Sequence, residues 1–210
     1  MSGKEFFQVL GDLSVEEADA VLSCQADEGA GAGKPWSGGR FDLLEEVGIH
    51  QSRGVTDEHF MEEALRQARK AGAKGEVPVG AVLVVEGRII TKTHNQVEEL
   101  KDATAHAEML AVTAAAGELE DWRLTEATVY VTKEPCPMCA GAMVLSRVKR
   151  VVYGAADPRG GAAGGALNLL QFDGLNHKCE VRGGVKSEEC RELLREFFQA
   201  KRAEGEKSGN

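Results

Sequence analysis

The chain has 210 residues and a mass of 22.5 kDa, enough for one well-cored domain with some surplus. Its 42% hydrophobic and 28% charged residues are typical of a folded globular protein and exclude a chain too polar to form a core. The formal net charge of −9 argues against a protein that binds nucleic acid over its whole surface.

The chain carries no signal for a membrane or for secretion. No apolar run approaches the roughly 20 residues of a membrane span, and the N-terminus lacks the basic and then apolar pattern of a signal peptide. We therefore expect a cytoplasmic protein without a membrane partner. Its five cysteines are then expected to be free thiols or metal ligands rather than disulfides.

Residues 1–54 differ in composition from the rest of the chain. They contain ten acidic and four basic residues, and the run 29–39 is rich in glycine. We interpret 1–54 as an acidic, flexible extension without a catalytic signal, and a segment that docks a partner or folds back remains an alternative. Residues 55–205 are interpreted as the compact domain and 206–210 as a tail.

Within that domain, hydrophobic periodicity and turn residues predict alternating helices and strands. Thr56 and Thr104 are expected to be the N-caps of the first two helices, and Gly87 lies in a tight turn between two strands. The other predicted elements follow in chain order: strands over 77–85 and 89–95, a strand over 127–132, a helix over 137–146, strands over 148–154 and 179–181, and a helix from 187 followed by a charged tail from Lys201.

Two short motifs carry the chemistry. His106-Ala107-Glu108 opens the second helix, and Pro135-Cys136-Pro137-Met138-Cys139 joins the third strand to the next helix. One imidazole and two thiolates are three ligands for a catalytic zinc ion, which leaves the fourth tetrahedral position for water. Glu108 is then free to move protons. This combination is a known signature of zinc deaminases that act on nucleobases.

The chemistry explains the residue types. Zinc lowers the pKa of a bound water to about 7, and a carboxylate that is not a ligand can carry protons to a ring nitrogen and to the departing amine. If Pro137 opens its helix, Cys136 lies at the positive end of the helix dipole, which favours a thiolate. An isolated C-x-x-C motif would fit redox chemistry about as well as metal binding.

The run 157–165 is rich in glycine but lacks the spacing of a phosphate-binding loop, so no nucleotide cofactor is predicted. It is either a flexible connector or part of the rim of a substrate site, since it follows the fourth strand.

Residues from about 56 to 203 closely resemble bacterial tRNA-specific adenosine deaminases. The resemblance rests on 78–82, 104–108 and 134–143, and continues through 146–147, 151–155, 161–164, 176–177 and 197–198. It implies a cytidine-deaminase-like fold, with three α/β/α layers around a mixed five-stranded sheet. It also implies hydrolysis of the wobble adenosine to inosine in a tRNA anticodon loop: water attacks C6 and ammonia leaves.

The resemblance also assigns roles to residues. His106, Cys136 and Cys139 match the ligands of one Zn²⁺ per subunit, and Glu108 matches the proton shuttle. Three further positions match residues that contact RNA, namely Asn95, Asp157 and Phe198. The resemblance implies a homodimer that binds the anticodon stem-loop near its interface. Lys133, where an apolar residue is common in the family, is a departure that could add a phosphate contact or face solvent.

Two other functions remain open from the sequence. A deaminase of a free base or nucleoside, such as guanine, cytosine or cytidine, would use the same zinc and glutamate. A non-catalytic zinc protein would need a fourth protein ligand, for which His94 and His177 are the candidates in the sequence.

Overall fold

The computed structural model describes residues 56–208. Residues 1–55 and 209–210 lie outside the described part of the chain, and with them the predicted extension over 1–54. The described residues form five helices and five strands. In chain order these are α1 (Asp57–Ala73), β1 (Gly80–Val85), β2 (Arg88–His94), α2 (Val97–Leu100), α3 (Ala107–Glu118), β3 (Ala127–Lys133), α4 (Pro137–Leu145), β4 (Arg150–Ala155), β5 (Glu180–Arg182) and α5 (Ser187–Ser208).

The strands form one mixed sheet in the order β2-β1-β3-β4-β5. β1 is antiparallel to both neighbours, with Gly80 opposite His94 and Ala81 opposite Val131, whereas β3, β4 and β5 are parallel. Because β2 and β3 both run opposite to β1, the carboxyl ends of β2, β3 and β4 lie at one edge of the sheet. This edge also holds the start of β1.

Two hydrophobic cores lie on opposite faces of the sheet and confirm the predicted three-layer α/β/α architecture. On one face α3 and α4 bury Ala111 and Met143 against Val129. On the other face α1 and α5 bury Leu65 and Cys190 with strand residues such as Val82 and Tyr130. β1 is buried along almost its whole length, as its continuous apolar run predicts.

The predicted elements are confirmed, with differences at their ends. β1 starts at Gly80 rather than at residue 77, and Gly80 is required there because a Cβ would lie 2.1 Å from the carbonyl oxygen of Ala64. The turn between β1 and β2 has positive φ at Glu86 (49°) and Gly87 (74°), as a type I′ hairpin requires.

Three local predictions need correction. The N-cap of α3 is His106 rather than Thr104, because Thr104 donates its backbone N–H and its hydroxyl to Asp102 (2.8 and 2.7 Å) and ends a turn instead. The segment before it contains the short helix α2, where only a polar loop was predicted. The final helix continues through the predicted charged tail to Ser208.

Candidate active site

Three potential metal ligands meet at the N-termini of two helices. His106 is the N-cap of α3, Cys136 is the N-cap of α4, and Cys139 lies in the first turn of α4. The Nδ1 atom of His106 lies 3.6 Å from the Sγ atom of Cys136 and 3.5 Å from that of Cys139. The residues that the sequence singled out as ligands are thus brought together from positions 30 and 33 residues apart.

The spacing of these atoms fits a tetrahedral metal ion. Zn–S bonds of about 2.3 Å and Zn–N bonds of about 2.0 Å at tetrahedral angles place sulphur and nitrogen roughly 3.5 Å apart. Within residues 56–208, no fourth His, Cys, Asp or Glu joins the group, whose ligand atoms lie within 4.8 Å of one another. His177 is engaged elsewhere, since its Nε2 lies 2.8 Å from the carbonyl oxygen of Val148. The site can therefore hold a metal ion with one position left open.

The pKa values of the two thiols are shifted in opposite directions. The hydrogen bond from Cys139, together with that from His106, lowers the pKa of Cys136 to about 3. The same hydrogen bond raises the pKa of Cys139, while the Cys136 contact raises the pKa of His106. Pro137 occupies the first turn of α4, as predicted, so the positive end of that helix also favours a thiolate at Cys136. Thiolate sulphur is a preferred ligand of Zn²⁺.

Glu108 stands beside this group as a buried carboxyl. It lies in the first turn of α3, is only 4% exposed, and lines the same cavity as His106 and Cys136. Burial raises the pKa of Glu108, against the opposing effect of its hydrogen bonds. A carboxyl group in this position can hold a proton next to whatever occupies the cavity.

The cavity has a volume of about 620 Å³, which is large enough for a nucleoside-sized ligand. Besides the ligand group, its walls include apolar residues just before β1, two lysines and one aromatic ring of α5. The lining residues include Glu76, Asn95, Lys133, Glu134, Phe197 and Lys201.

Asn95, which the family resemblance assigns to the target nucleotide, lies on the cavity wall directly after β2. It is 6% exposed, and its backbone N–H donates to the carbonyl oxygen of Val79 at 3.0 Å. Its side-chain Nδ2 donates to Glu76 at 3.1 Å.

Asp157 and Phe198 do not line the cavity. The Asp157 carboxylate accepts the N–H groups of Arg159 and Gly160 at 3.1 Å each and pairs with Lys133. Lys133 itself lines the cavity. The lysine that stands where the family commonly has an apolar residue therefore lies at the candidate active site. Phe198 is 45% exposed on α5, and its neighbour Phe197 lines the cavity instead.

None of the helices within residues 56–208 combines enough length with enough apolar residues to cross a bilayer.

Comparison with known proteins identifies the relatives of this chain. A family model described as MafB19-like deaminase matches residues 55–202. The tRNA-specific adenosine deaminase of Bacillus subtilis is 55% identical over 143 residues, which covers 68% of this chain and 89% of the relative. That of Aquifex aeolicus is 49% identical over 142 residues and covers 68% of this chain and 93% of the relative.

The chain belongs to the family of tRNA-specific adenosine deaminases.

Solved structures agree with this assignment. A tRNA deaminase studied for adenosine-to-inosine editing at the wobble position is 45% identical, has a TM-score of 0.63, and covers 65% of this chain and 99% of its own. Guanine deaminase from Nitrosomonas europaea is more distant, at 25% identity and a TM-score of 0.59, covering 68% of this chain and 84% of its own. The sheet and helices of this tRNA-specific adenosine deaminase family member are thus shared with deaminases of different substrates.

Sequence analysis missed the role of the buried Glu134. Glu134 is 1% exposed, and its carboxylate accepts backbone N–H groups of Asp157 (2.8 Å), Ala163 (3.0 Å) and Gly165 (2.8 Å). The glycine-rich run is therefore an ordered loop whose backbone amides surround the Glu134 carboxylate. An acidic residue at the end of an apolar strand, followed by a glycine-rich run, was the available signal.

Proposed function

We propose that this protein hydrolyses the wobble adenosine of a tRNA anticodon loop to inosine and releases ammonia. The observation that carries the proposal is the group His106, Cys136 and Cys139, with one position open, next to the buried Glu108 on a cavity of about 620 Å³. The relatives whose names state this substrate are up to 55% identical over the same residues.

In the proposed mechanism His106, Cys136 and Cys139 hold one zinc ion per subunit. When bound, zinc lowers the pKa of water to about 7 and so supplies the nucleophile at neutral pH. Glu108 takes a proton from the attacking water, delivers one to a ring nitrogen of adenine, and helps the amine at C6 to leave as ammonia. Water and adenosine are thus converted to ammonia and inosine, without a further reactant.

We assign the positioning of substrate to residues around the cavity. Asn95 holds the target nucleotide from the cavity wall. Asp157 contacts the neighbouring nucleotide from the rim, where Lys133 neutralises its charge against the RNA backbone. Phe198, 45% exposed on α5, offers a ring on which an unpaired anticodon base can stack. An anticodon loop is already single-stranded, so moving its base into the cavity costs little.

The protein is further proposed to act as a homodimer in the cytoplasm, where its tRNA substrate is used. Support for self-association comes from large apolar side chains that are exposed in the single chain, among them Leu145 (73%), Leu167 (55%) and Phe172 (56%). Light scattering coupled to size-exclusion chromatography tests this, since a monomeric mass at micromolar concentration would contradict it.

Deamination of a free base is the second candidate function, because guanine deaminase from Nitrosomonas europaea shares the fold. A panel of substrates separates the two. Zinc-loaded protein is offered an anticodon stem-loop, adenosine, cytidine and guanine, and ammonia release is followed for each. We expect kcat/KM for the stem-loop to exceed that for every small molecule by at least a hundredfold. Faster turnover of guanine than of the stem-loop would favour the second function.

A further inference from the structure

Glu76 is a buried carboxylate beside the cavity that the proposed mechanism does not use. It lies between α1 and β1 and is 1% exposed. Its Oε2 atom accepts a hydrogen bond from Asn95 Nδ2 at 3.1 Å, and its Oε1 atom accepts one from the backbone N–H of Glu99 at 2.7 Å. Each oxygen of Glu76 therefore accepts from one donor. A glutamine in the same place has only one oxygen, so its NH₂ group would face the second donor.

These contacts fix the direction of the Asn95 side chain. An asparagine amide has a donor end and an acceptor end, and a carboxylate can only accept. The NH₂ group must therefore face Glu76. The carbonyl oxygen Oδ1 has no hydrogen-bond partner among residues 56–208, yet it is not one of the fully buried unpaired atoms, so it is open to the cavity that Asn95 lines.

We propose that Glu76 is a positioning residue that makes Asn95 a fixed hydrogen-bond acceptor for a donor group of the nucleotide being deaminated. This inference rests on the proposed function. The donors of an adenosine nucleotide are its sugar hydroxyls and its amine, whereas its ring nitrogens and phosphate oxygens accept. A free amide could turn over and offer either its carbonyl oxygen to a donor or its NH₂ group to an acceptor, but the amide held by Glu76 keeps its carbonyl oxygen towards the cavity and so favours donors.

The pair can be reversed without losing the acceptor, which gives a sharp test. In Asn95→Asp two buried carboxylates face each other. In Glu76→Gln the glutamine NH₂ group faces one of the two donors, Asn95 Nδ2 or the N–H of Glu99. The Asn95 amide is then no longer held in one orientation. In the double variant E76Q/N95D the glutamine accepts from Glu99 and donates to the new aspartate, whose second oxygen faces the cavity. The hydrogen bonds of the pair are then all restored.

The measurement is kcat/KM for inosine formation on an unmodified anticodon stem-loop, at equal zinc content and with the melting temperature of each variant recorded. We expect E76Q to lose about tenfold and N95D at least a hundredfold. The double variant should regain at least tenfold over N95D. A double variant that is folded and zinc-loaded but no more active than N95D would overturn the proposal.

A purely structural role gives a different result. In that case the variants would lose melting temperature or zinc and keep the wild-type kcat/KM per bound zinc, which would also overturn the proposal. The matched control is Lys74→Ala, which removes the exposed Lys74–Glu99 pair (2.8 Å) at α2 and leaves Glu76 and Asn95 in contact. It should stay within about twofold of wild type.

The same assay separates this inference from the function on which it rests. If zinc-loaded wild type forms no inosine, the proposed function fails before any variant is compared. A stem-loop with 2′-deoxyadenosine at the target position then assigns the donor. If the E76Q effect disappears on it, Asn95 accepts from the 2′-hydroxyl; if it persists, Asn95 accepts from another donor of the nucleotide.

Discussion

At the scale of single residues, the buried carboxylates around the cavity differ in what they contact. Glu108 faces the ligand group, Glu76 holds the Asn95 side chain, and Glu134 holds a loop. Only the first lies within a motif that the sequence marks as catalytic. The other two act through hydrogen bonds to groups that are distant in sequence, so their loss should affect the site through its shape.

Glu134→Gln tests this for the loop. Gln has one oxygen, so it can keep the Ala163 and Gly165 donors but turns its NH₂ group towards the N–H of Asp157. An unpaired buried donor costs about 1–3 kcal/mol. We expect a loss of that size in the free energy of unfolding in urea, with faster amide exchange over 157–165. Glu126→Gln, which removes only an exposed pair with Lys149, should stay within about 0.5 kcal/mol of wild type.

At the scale of elements, the glycine-rich loop is shaped by close approach rather than by flexibility. A Cβ at Gly161 would lie 2.2 Å from the Cδ atom of Glu134, and one at Gly165 would lie 2.6 Å from its Oε2 atom. Glycine lets the backbone come close enough to donate its amides to the carboxylate. The loop is thereby held against the end of β3, next to Cys136.

Gly161→Ala and Gly117→Ala form a matched pair that checks this account. Both changes reduce the freedom of the unfolded chain equally, but Gly117 lies within α3 with nothing within 4 Å of an added Cβ. We expect G117A to stabilise by up to about 1 kcal/mol and G161A to destabilise by roughly 1–3 kcal/mol. Equal effects on the melting temperature would show that the loop does not need the close approach.

A second element-scale feature joins the start of α1 to the sheet. The Asp57 carboxylate accepts from Arg150 at two atoms (2.8 Å each), from the Tyr130 hydroxyl (2.8 Å) and from Arg182. The Arg150 hydrogen bond lowers the pKa of Asp57 to about 2. Because the folded state holds the charged form more tightly than the unfolded state does, this contribution is present above about pH 4 and is lost as the pH falls towards 2.

Asp57→Asn should therefore lower the free energy of unfolding by about 2 kcal/mol at pH 7, and the gap to wild type should close as the pH is lowered through 4 towards 2. Urea titrations at several pH values measure it. The control is Asp173→Asn, whose side chain is 94% exposed in its pair with Lys178. A gap for D57N that does not change with pH would contradict the assignment.

At the scale of the whole molecule, the sequence predicts what its local pattern determines. Strand and helix order, the ligand trio and Glu108 follow from periodicity and from motifs a few residues long. The N-cap at His106 was missed because Asp102 takes the Thr104 donors, and the hold of Glu76 on Asn95 was missed because it joins residues 19 positions apart. Contacts of this kind depend on which segments the folded sheet brings together at one edge. Local sequence patterns do not predict such contacts.

The acidic segment 1–54 carries −6 of the net charge of −9. This segment lies outside the described residues. From its charge alone, we expect the segment to compete with the RNA backbone for basic groups of the domain. Deleting 1–54 should raise affinity for the anticodon stem-loop at low salt, and the gain should fade as salt screens the charges. A leader of equal length with Asn and Gln for its acids should behave like the deletion. Unchanged affinity in fluorescence anisotropy would remove the hypothesis.

The most direct test of the central claim compares wild type with Glu108→Gln at equal zinc content. The product measured is inosine at the wobble adenosine of an unmodified anticodon stem-loop. We predict conversion by wild type and a rate lowered by roughly 10²–10⁴-fold in E108Q, the range that a positioned acid–base group supplies. No inosine from zinc-loaded wild type, or equal rates for the two proteins, would contradict hydrolytic deamination of RNA through Glu108.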